Sequence, residues 1–193
     1  MFQDMTSAHQ RKKQPEVIRA QLLRAAAELV VQGGTQAVTL DAVAAQAGVT
    51  KGGLQHHFRS KQLLLDALFE EMNQRFIESF HAYIEAEPEA QGKEARAYLR
   101  AMVGNPSDAH ENSVLRALTS SMMVDPELRE RWSCSWQEDL KSQPEKTDPA
   151  HINAIICRLA CDGLWFADLI EDKGMSPEVR AAVIRRLEEL TRE

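Results

Sequence analysis

The sequence predicts an all-α protein of about nine helices, and two observations carry that expectation. Apolar residues recur at three- and four-residue steps along nearly the whole chain, and no stretch alternates apolar and polar residues in the manner of a strand. Those helical steps are interrupted by Gly, Pro and short polar clusters placed where helices stop and restart.

In order along the chain, Pro15 opens a helix in which Ile18, Leu22, Ala25, Ala26 and Leu29 share one face. Gly33-Gly34 is its stop, because glycine accepts the left-handed backbone that ends a helix. Thr39 caps a short helix over 40–47 with Leu40, Val43, Ala44 and Ala47 inward. Gly48-Val49 breaks it, and Thr50 caps a third helix that runs to about Phe58. Ser60 begins a long helix carrying Leu64, Leu68, Met72, Phe76 and Phe80, which fades across "EAEPEAQG", residues 85–92. Helical pattern resumes over 94–103, pauses at "GNPSD" (104–108), continues over 111–124, breaks at Asp125-Pro126 and runs on to Lys141. After the polar loop 142–149 come two closing helices, 149–171 and 177–192, separated by "DKGMSP".

At 193 residues the chain suits one large domain, or a small module with a larger one. Its 44% hydrophobic and 27% charged composition is that of a globular protein. No apolar run approaches the ~20 residues of a membrane span. Met1 to Lys13 lacks the apolar core of a signal peptide, and the three cysteines (Cys134, Cys157, Cys161) do not suit a disulfide framework, so a cytoplasmic protein without membrane contact is expected. The net charge of −6 is unevenly spread. Residues 1–65 hold eight Lys/Arg against four acids, a net of +4, and the remainder carries −10. A basic head on an acidic body suggests that the head meets an anion.

Two short capped helices joined by a glycine-containing turn have the layout of a helix-turn-helix. Ala44 and Ala47 permit close approach, and Gly48 supplies the conformation a tight turn needs. Spacing alone is equally compatible with any two short packed helices.

The run "TLDAVAAQAGVTKGGLQHHFRSKQLLLDAL", residues 39–68, resembles the DNA-binding motif of TetR-family transcriptional repressors. The matching positions are Thr39, Val43-Ala44, Ala47-Gly48-Val49, Thr50, Gly52, His57-Phe58, Lys61 and Leu63-Leu64. The resemblance covers about residues 15–70; "CDGLW" (161–165) is similar to an Asp-Gly frequent in the family's penultimate helix. It implies an N-terminal three-helix helix-turn-helix DNA-binding domain, residues 1–60, and a C-terminal helical ligand-binding and dimerisation domain, residues 61–193. The implied partners are a near-palindromic double-stranded operator, a second copy of the chain and an unidentified small-molecule effector.

The chemistry of the motif can be read beside that resemblance. DNA binding requires cations and N–H groups against phosphate and side chains at base edges. Thr39 and Thr50 serve as caps, as phosphate ligands, or as both. Lys51 and Gly52 lead the recognition helix; the glycine either permits close approach of backbone to DNA or marks a frayed start. By resemblance His57 and Lys61 contact phosphate. His56 and His57 point about 100° apart on a helix, a poor metal pair, so no metal is expected. Phe58 is expected to fix the recognition helix against the first helix. Arg11, Lys12 and Lys13 form either a flexible arm reaching a groove or a solvated tail. Where the family frequently has Tyr, this chain has Gln55, which either pairs with adenine as a base reader or is an exposed polar residue without a role.

In the remainder, Phe80, Tyr83, Met102, Met122, Met123, Trp132, Trp136 and Trp165 are candidate pocket residues, although bland packing accounts for each of them as well. Cys157 and Cys161 share a face, as a redox pair or as core. Residues 149–171 are apolar on more than one side, which asks for a partner, and Ile152, Ile156, Leu159, Phe166, Val183, Leu187 and Leu190 are the expected dimer face. With a family-like arrangement the last two helices of each subunit form a four-helix bundle. No phosphate loop, nucleophile elbow, zinc motif or isolated carboxylate pair suggests an enzyme, and no cofactor is expected. The alternative is a helical ligand-binding or adaptor protein with a degenerate DNA head, for which Gln55 is the one hint.

Overall fold

The computed structural model describes residues 5–88, 91–103, 109–141, 147–170 and 174–193, with side chains described from Pro15 onward except at 109, 111, 134–141 and 169. Among them lie nine helices and no strand. They are α1 (Met5–Ala37), α2 (Leu40–Ala47), α3 (Lys51–His57), α4 (Lys61–Ala86), α5 (Lys93–Val103), α6 (Ala109–Val124), α7 (Pro126–Lys141), α8 (Pro149–Leu169) and α9 (Pro177–Leu190). The chain forms two compact units, 1–72 with 110–135 and 73–109 with 136–193. The expected pause at 104–108 and most of the loop 142–149 lie outside the described residues.

In the first unit, α1 begins at Met5 and not at Pro15. Proline there removes a single N–H, and its fixed φ is helical, so the preceding residues continue the helix. The backbone of Arg11, Lys12 and Lys13 therefore belongs to α1. The break expected at the glycine pair is present: Gly34 has φ 65°, and only one helical turn follows before Thr39. Leu22, Ala26 and Val30 of α1, Val43 of α2, Leu54 of α3 and Leu64, Leu68 and Phe69 of α4 are buried in this unit. Val114 and Leu118 of α6 and Leu128 and Trp132 of α7 are buried in the same unit.

Polar contacts fasten these layers. Thr35 Oγ1 donates to Ser121 Oγ at 3.2 Å in a buried site joining the end of α1 to α6. The Asp66 carboxylate on α4 accepts from Trp132 Nε1 at 3.0 Å and from Gln62 Nε2 at 3.1 Å, and pairs with Arg131. The Trp132 ring lies flat on Phe69, with centroids 4.5 Å apart. Asp66, Phe69, Glu70, Arg131 and Trp132 line an open cleft of about 380 Å³.

In the second unit, α5 packs against α8 and α9. Ala95, Leu99, Cys157, Cys161, Leu164 and Leu187 form its core, with Met102 and Val183 packed on it. Arg96 lies in this apolar setting with no solvent exposure. Its Nε is 3.2 Å from Glu87 Oε1, and its Nη1 donates to Thr191 Oγ1 at 3.2 Å. Arg100 Nη1 holds the other Glu87 oxygen at 3.0 Å. A buried guanidinium is tolerated only when paired and hydrogen-bonded, so this cluster joins the residues after α4, the first turn of α5 and the end of α9. Gly92 makes room for it: its φ is 65°, and a Cβ there would stand 2.1 Å from the Thr191 carbonyl oxygen.

The Cys157 and Cys161 thiols are buried, and the Cys161 thiol is pushed up by its hydrogen bond with Cys157 and by burial. Both thiols sit in the apolar core of this unit. Burial, followed by the 2.5 Å hydrogen bond to Asp162, raises the Tyr98 hydroxyl well above the usual range, so it stays protonated as a donor.

Removing one member of the buried ion pair should cost far more than removing both. Arg96→Ala is expected to lower unfolding free energy by about 3–5 kcal/mol, seen as a lower urea midpoint at unchanged slope, and Glu87→Met with Arg96→Met to recover most of the loss.

Candidate nucleic-acid interface

The helix-turn-helix is built from local backbone chemistry. Thr39 Oγ1 accepts from Ala42 N at 3.1 Å and caps α2. Gly48 closes that helix in the left-handed region, at φ 67° and ψ 29°. Its N–H bonds the Ala45 carbonyl at 3.2 Å, and the Val49 N–H bonds the Ala44 carbonyl at 3.0 Å. This pair of bonds is a Schellman closure, which satisfies the last carbonyls of α2 while turning the chain. Two residues later Thr50 Oγ1 accepts from Gly53 N at 3.1 Å and starts α3. Each cap hydroxyl accepts from the backbone, which leaves its own O–H free to donate.

Two buried anchors hold α3: Leu54, fully buried, and Phe58, whose N–H bonds the Leu54 carbonyl at 2.8 Å. The Arg19 guanidinium of α1 lies 5.5 Å from the Phe58 ring centroid, so Phe58 joins the recognition helix to α1 as expected. The opposite side of α3 is open: Lys51, Gly52, Gln55 and His56 are exposed, and His57 and Lys61 are partly so. The His56 and His57 rings meet edge to face with centroids 5.8 Å apart. Among the described residues no three His, Cys, Asp or Glu side chains gather as a metal site.

The two glycines differ. A methyl group on Gly52 would meet no atom within 4 Å, whereas one on Gly53 would stand 3.2 Å from the Thr50 Oγ1 that caps the helix. Gly53 therefore sits tight against the cap of its own helix, and Gly52 has no such neighbour among the described residues.

From residue 42 to residue 65 the sequence contains no carboxylate, while Lys51, Arg59 and Lys61 fall inside that stretch. Asp41, just before it, places Oδ1 2.9 Å from Lys51 Nζ. Sequence reading missed this pair because its partners stand ten residues apart across a turn, at no periodic spacing.

The other expected site residues are dispersed. Met122 and Trp132 belong to the first unit, and Phe80, Tyr83, Met102 and Trp165 to the second. Trp132 is buried against Phe69 and Asp66, Met123 is exposed, and the Trp136 side chain lies outside the described residues. In the second unit Phe76 stacks parallel to Phe80 at 6.5 Å and edge-on to Tyr98 at 6.0 Å. On α8, Ile152, Ile156, Leu159 and Phe166 are exposed, as is Ile170 at its end. Leu187 is buried in its own unit's core with Val183 packed on it, and Leu190 is half-buried.

Residues 22–68 match the family described as bacterial regulatory proteins, tetR family, and residues 92–192 match the tetracyclin repressor-like C-terminal domain. Among curated proteins, the TetC protein of transposon Tn10 from Escherichia coli is 42% identical over 50 residues, 26% of this chain and 25% of that protein. The chain thus spans about a quarter of that relative's length. A transcriptional regulator from Pseudomonas aeruginosa PAO1 superposes with a TM-score of 0.69 at 17% identity, covering 91% of this chain and 90% of that one. FadR from Bacillus subtilis, solved with stearoyl-CoA, gives 0.64 at 19% identity, covering 89% and 96%. At these identities the two structures show a shared fold.

Backbone strain predicts opposite outcomes at two exposed glycines. Gly48→Ala is expected to destabilise by roughly 1 kcal/mol because alanine resists positive φ, and Gly52→Ala to stabilise by up to about 1 kcal/mol. Urea unfolding of both variants checks the signs.

Proposed function

The chain belongs to the TetR family of bacterial transcriptional regulators, and we propose that it works as a homodimeric repressor released from its operator by a small-molecule effector. In this reading residues 1–60 present the DNA-binding surface and 61–193 carry regulation and dimerisation. The supporting observation is an exposed face on a short helix that carries no carboxylate of its own and is anchored from behind by Leu54 and Phe58. Thr39 and Thr50 donate their hydroxyls to phosphate, joined by His57 and Lys61, while Lys51, Gln55 and His56 face the base edges. Gly52 keeps the leading turn bare so that the backbone approaches the groove; the open space outside it supports this role.

Dimerisation uses α8. Ile152, Ile156, Leu159, Gly163, Phe166 and Ile170 follow one another at alternating four- and three-residue steps, the spacing of a helix–helix seam, and are all exposed in the single chain. Pairing α8 and α9 with their copies gives a four-helix bundle, with the α9 contribution coming from its exposed residues rather than from Leu187. Two recognition helices then stand one DNA turn or a multiple apart, which requires a near-palindromic operator. An effector site in the second unit draws on the half-buried Phe80, Tyr83, Met102 and Trp165; the stearoyl-CoA complex of FadR is a precedent for ligand binding in this fold.

Selection of bound duplexes from a random pool tests the DNA reading: the wild type should enrich a near-palindrome, and Gln55→Ala should relax preference at one position in each half-site. No enrichment by either protein refutes the function, and identical sites show that Gln55 reads no base. For the dimer, sedimentation at micromolar concentration should give twice the chain mass for wild type and the chain mass for Leu159→Glu with Phe166→Glu. A monomeric wild type rules the bundle out.

A further inference from the structure

We infer that Asp41 is a specificity-determining positioning residue, which holds the Lys51 ammonium for a base edge and withholds it from phosphate. The inference rests on the DNA-binding reading above and concerns a residue that reading does not use.

Asp41 is the last carboxylate before a 24-residue stretch, 42–65, without another. It stands in the first turn of α2, beside the Thr39 cap. A carboxylate so close to a phosphate-binding surface repels the ligand, and by itself it would weaken association. Its geometry supplies a compensating role. Lys51 Nζ lies 2.9 Å from Oδ1 and 3.0 Å from Oδ2, so both oxygens share the ammonium. Lys51 is the first residue of the recognition helix, and its long side chain otherwise has freedom to reach any nearby phosphate. Both partners are exposed, with 56% and 71% of their side chains open, so the pair is accessible to a duplex rather than buried for stability. A carboxylate used only to favour the α2 N-terminus would have no need of the lysine across the turn.

Two consequences separate this role from helix stabilisation. A lysine held by Asp41 releases no counterion from phosphate, so it adds nothing to the salt dependence of binding. Freed from Asp41, it gains a phosphate contact on any sequence, which raises non-specific affinity and lowers discrimination.

The test measures affinity for the duplex selected from the random pool and for an unrelated duplex of equal length, from 50 to 200 mM salt. Asp41→Asn is expected to steepen the slope of log affinity against log salt by about 0.9, equivalent to about 3.5-fold more affinity lost across that range, and to lower the selected-to-unrelated ratio at least about threefold. Asp41→Glu should retain the wild-type slope. Lys51→Gln should leave the wild-type slope unchanged while weakening the selected duplex, and should abolish the extra slope in the Asp41→Asn background. Equal slopes and ratios in wild type and Asp41→Asn, with selective binding intact, overturn the inference and leave the DNA-binding reading standing. Absence of any selected duplex overturns both. A lower melting temperature in Asp41→Asn with unchanged slope assigns the carboxylate to the helix alone.

Discussion

The helix-turn-helix depends on one residue in the left-handed region. Gly48 closes α2 with two backbone bonds and releases the chain directly into the Thr50 cap of α3. Without that conformation α2 would overrun or fray, and the two helix starts would not meet closely enough for Asp41 to touch Lys51. The turn is therefore an electrostatic device as well as a steric one: it sets which charged groups of the two helices share a surface.

Behind that surface the scaffold is held by unlike interactions in its two units. The first is an apolar core with a few buried or half-buried polar ties, Thr35 to Ser121 and Asp66 to Trp132, which fasten α6 and α7 to helices far away in sequence. The second contains a fully buried guanidinium whose charge is met by Glu87 and whose remaining donors include one to the last turn of α9. Apolar packing tolerates repacking, whereas a buried ion pair tolerates few arrangements. The end of α9 is thereby fixed in register with α5, which in turn orients the exposed stripe of the adjacent α8.

Much of this was legible in the sequence for physical reasons. Caps and glycine closures are local, so Thr39, Gly48, Thr50 and Gly33-Gly34 could be read from neighbours alone. Periodicity marked Leu22, Val43 and Leu64 as core. The extension of α1 before Pro15 was not legible, because proline is compatible with either a first turn or an interior with one lost bond. Nor were the tertiary charges: Arg96 reads as one more surface arginine on an amphipathic helix, and nothing near it announces a partner at Glu87 or Thr191. Within α9, periodicity grouped Val183 and Leu187 with the partner-seeking residues although they face their own unit, since a helical stripe does not say which neighbour it meets.

The stacking of Trp132 on Phe69, with its indole N–H held by Asp66, gives the protein an internal fluorophore. The indole is shielded from water and lies against the same α4 that begins at Lys61, four residues after the recognition helix ends at His57. Its emission should sit toward the blue and respond to any shift between α4 and α7. With Trp136 and Trp165 changed to Phe, movement of the DNA-binding helices can be followed optically in the unlabelled protein, on the time scale of stopped flow.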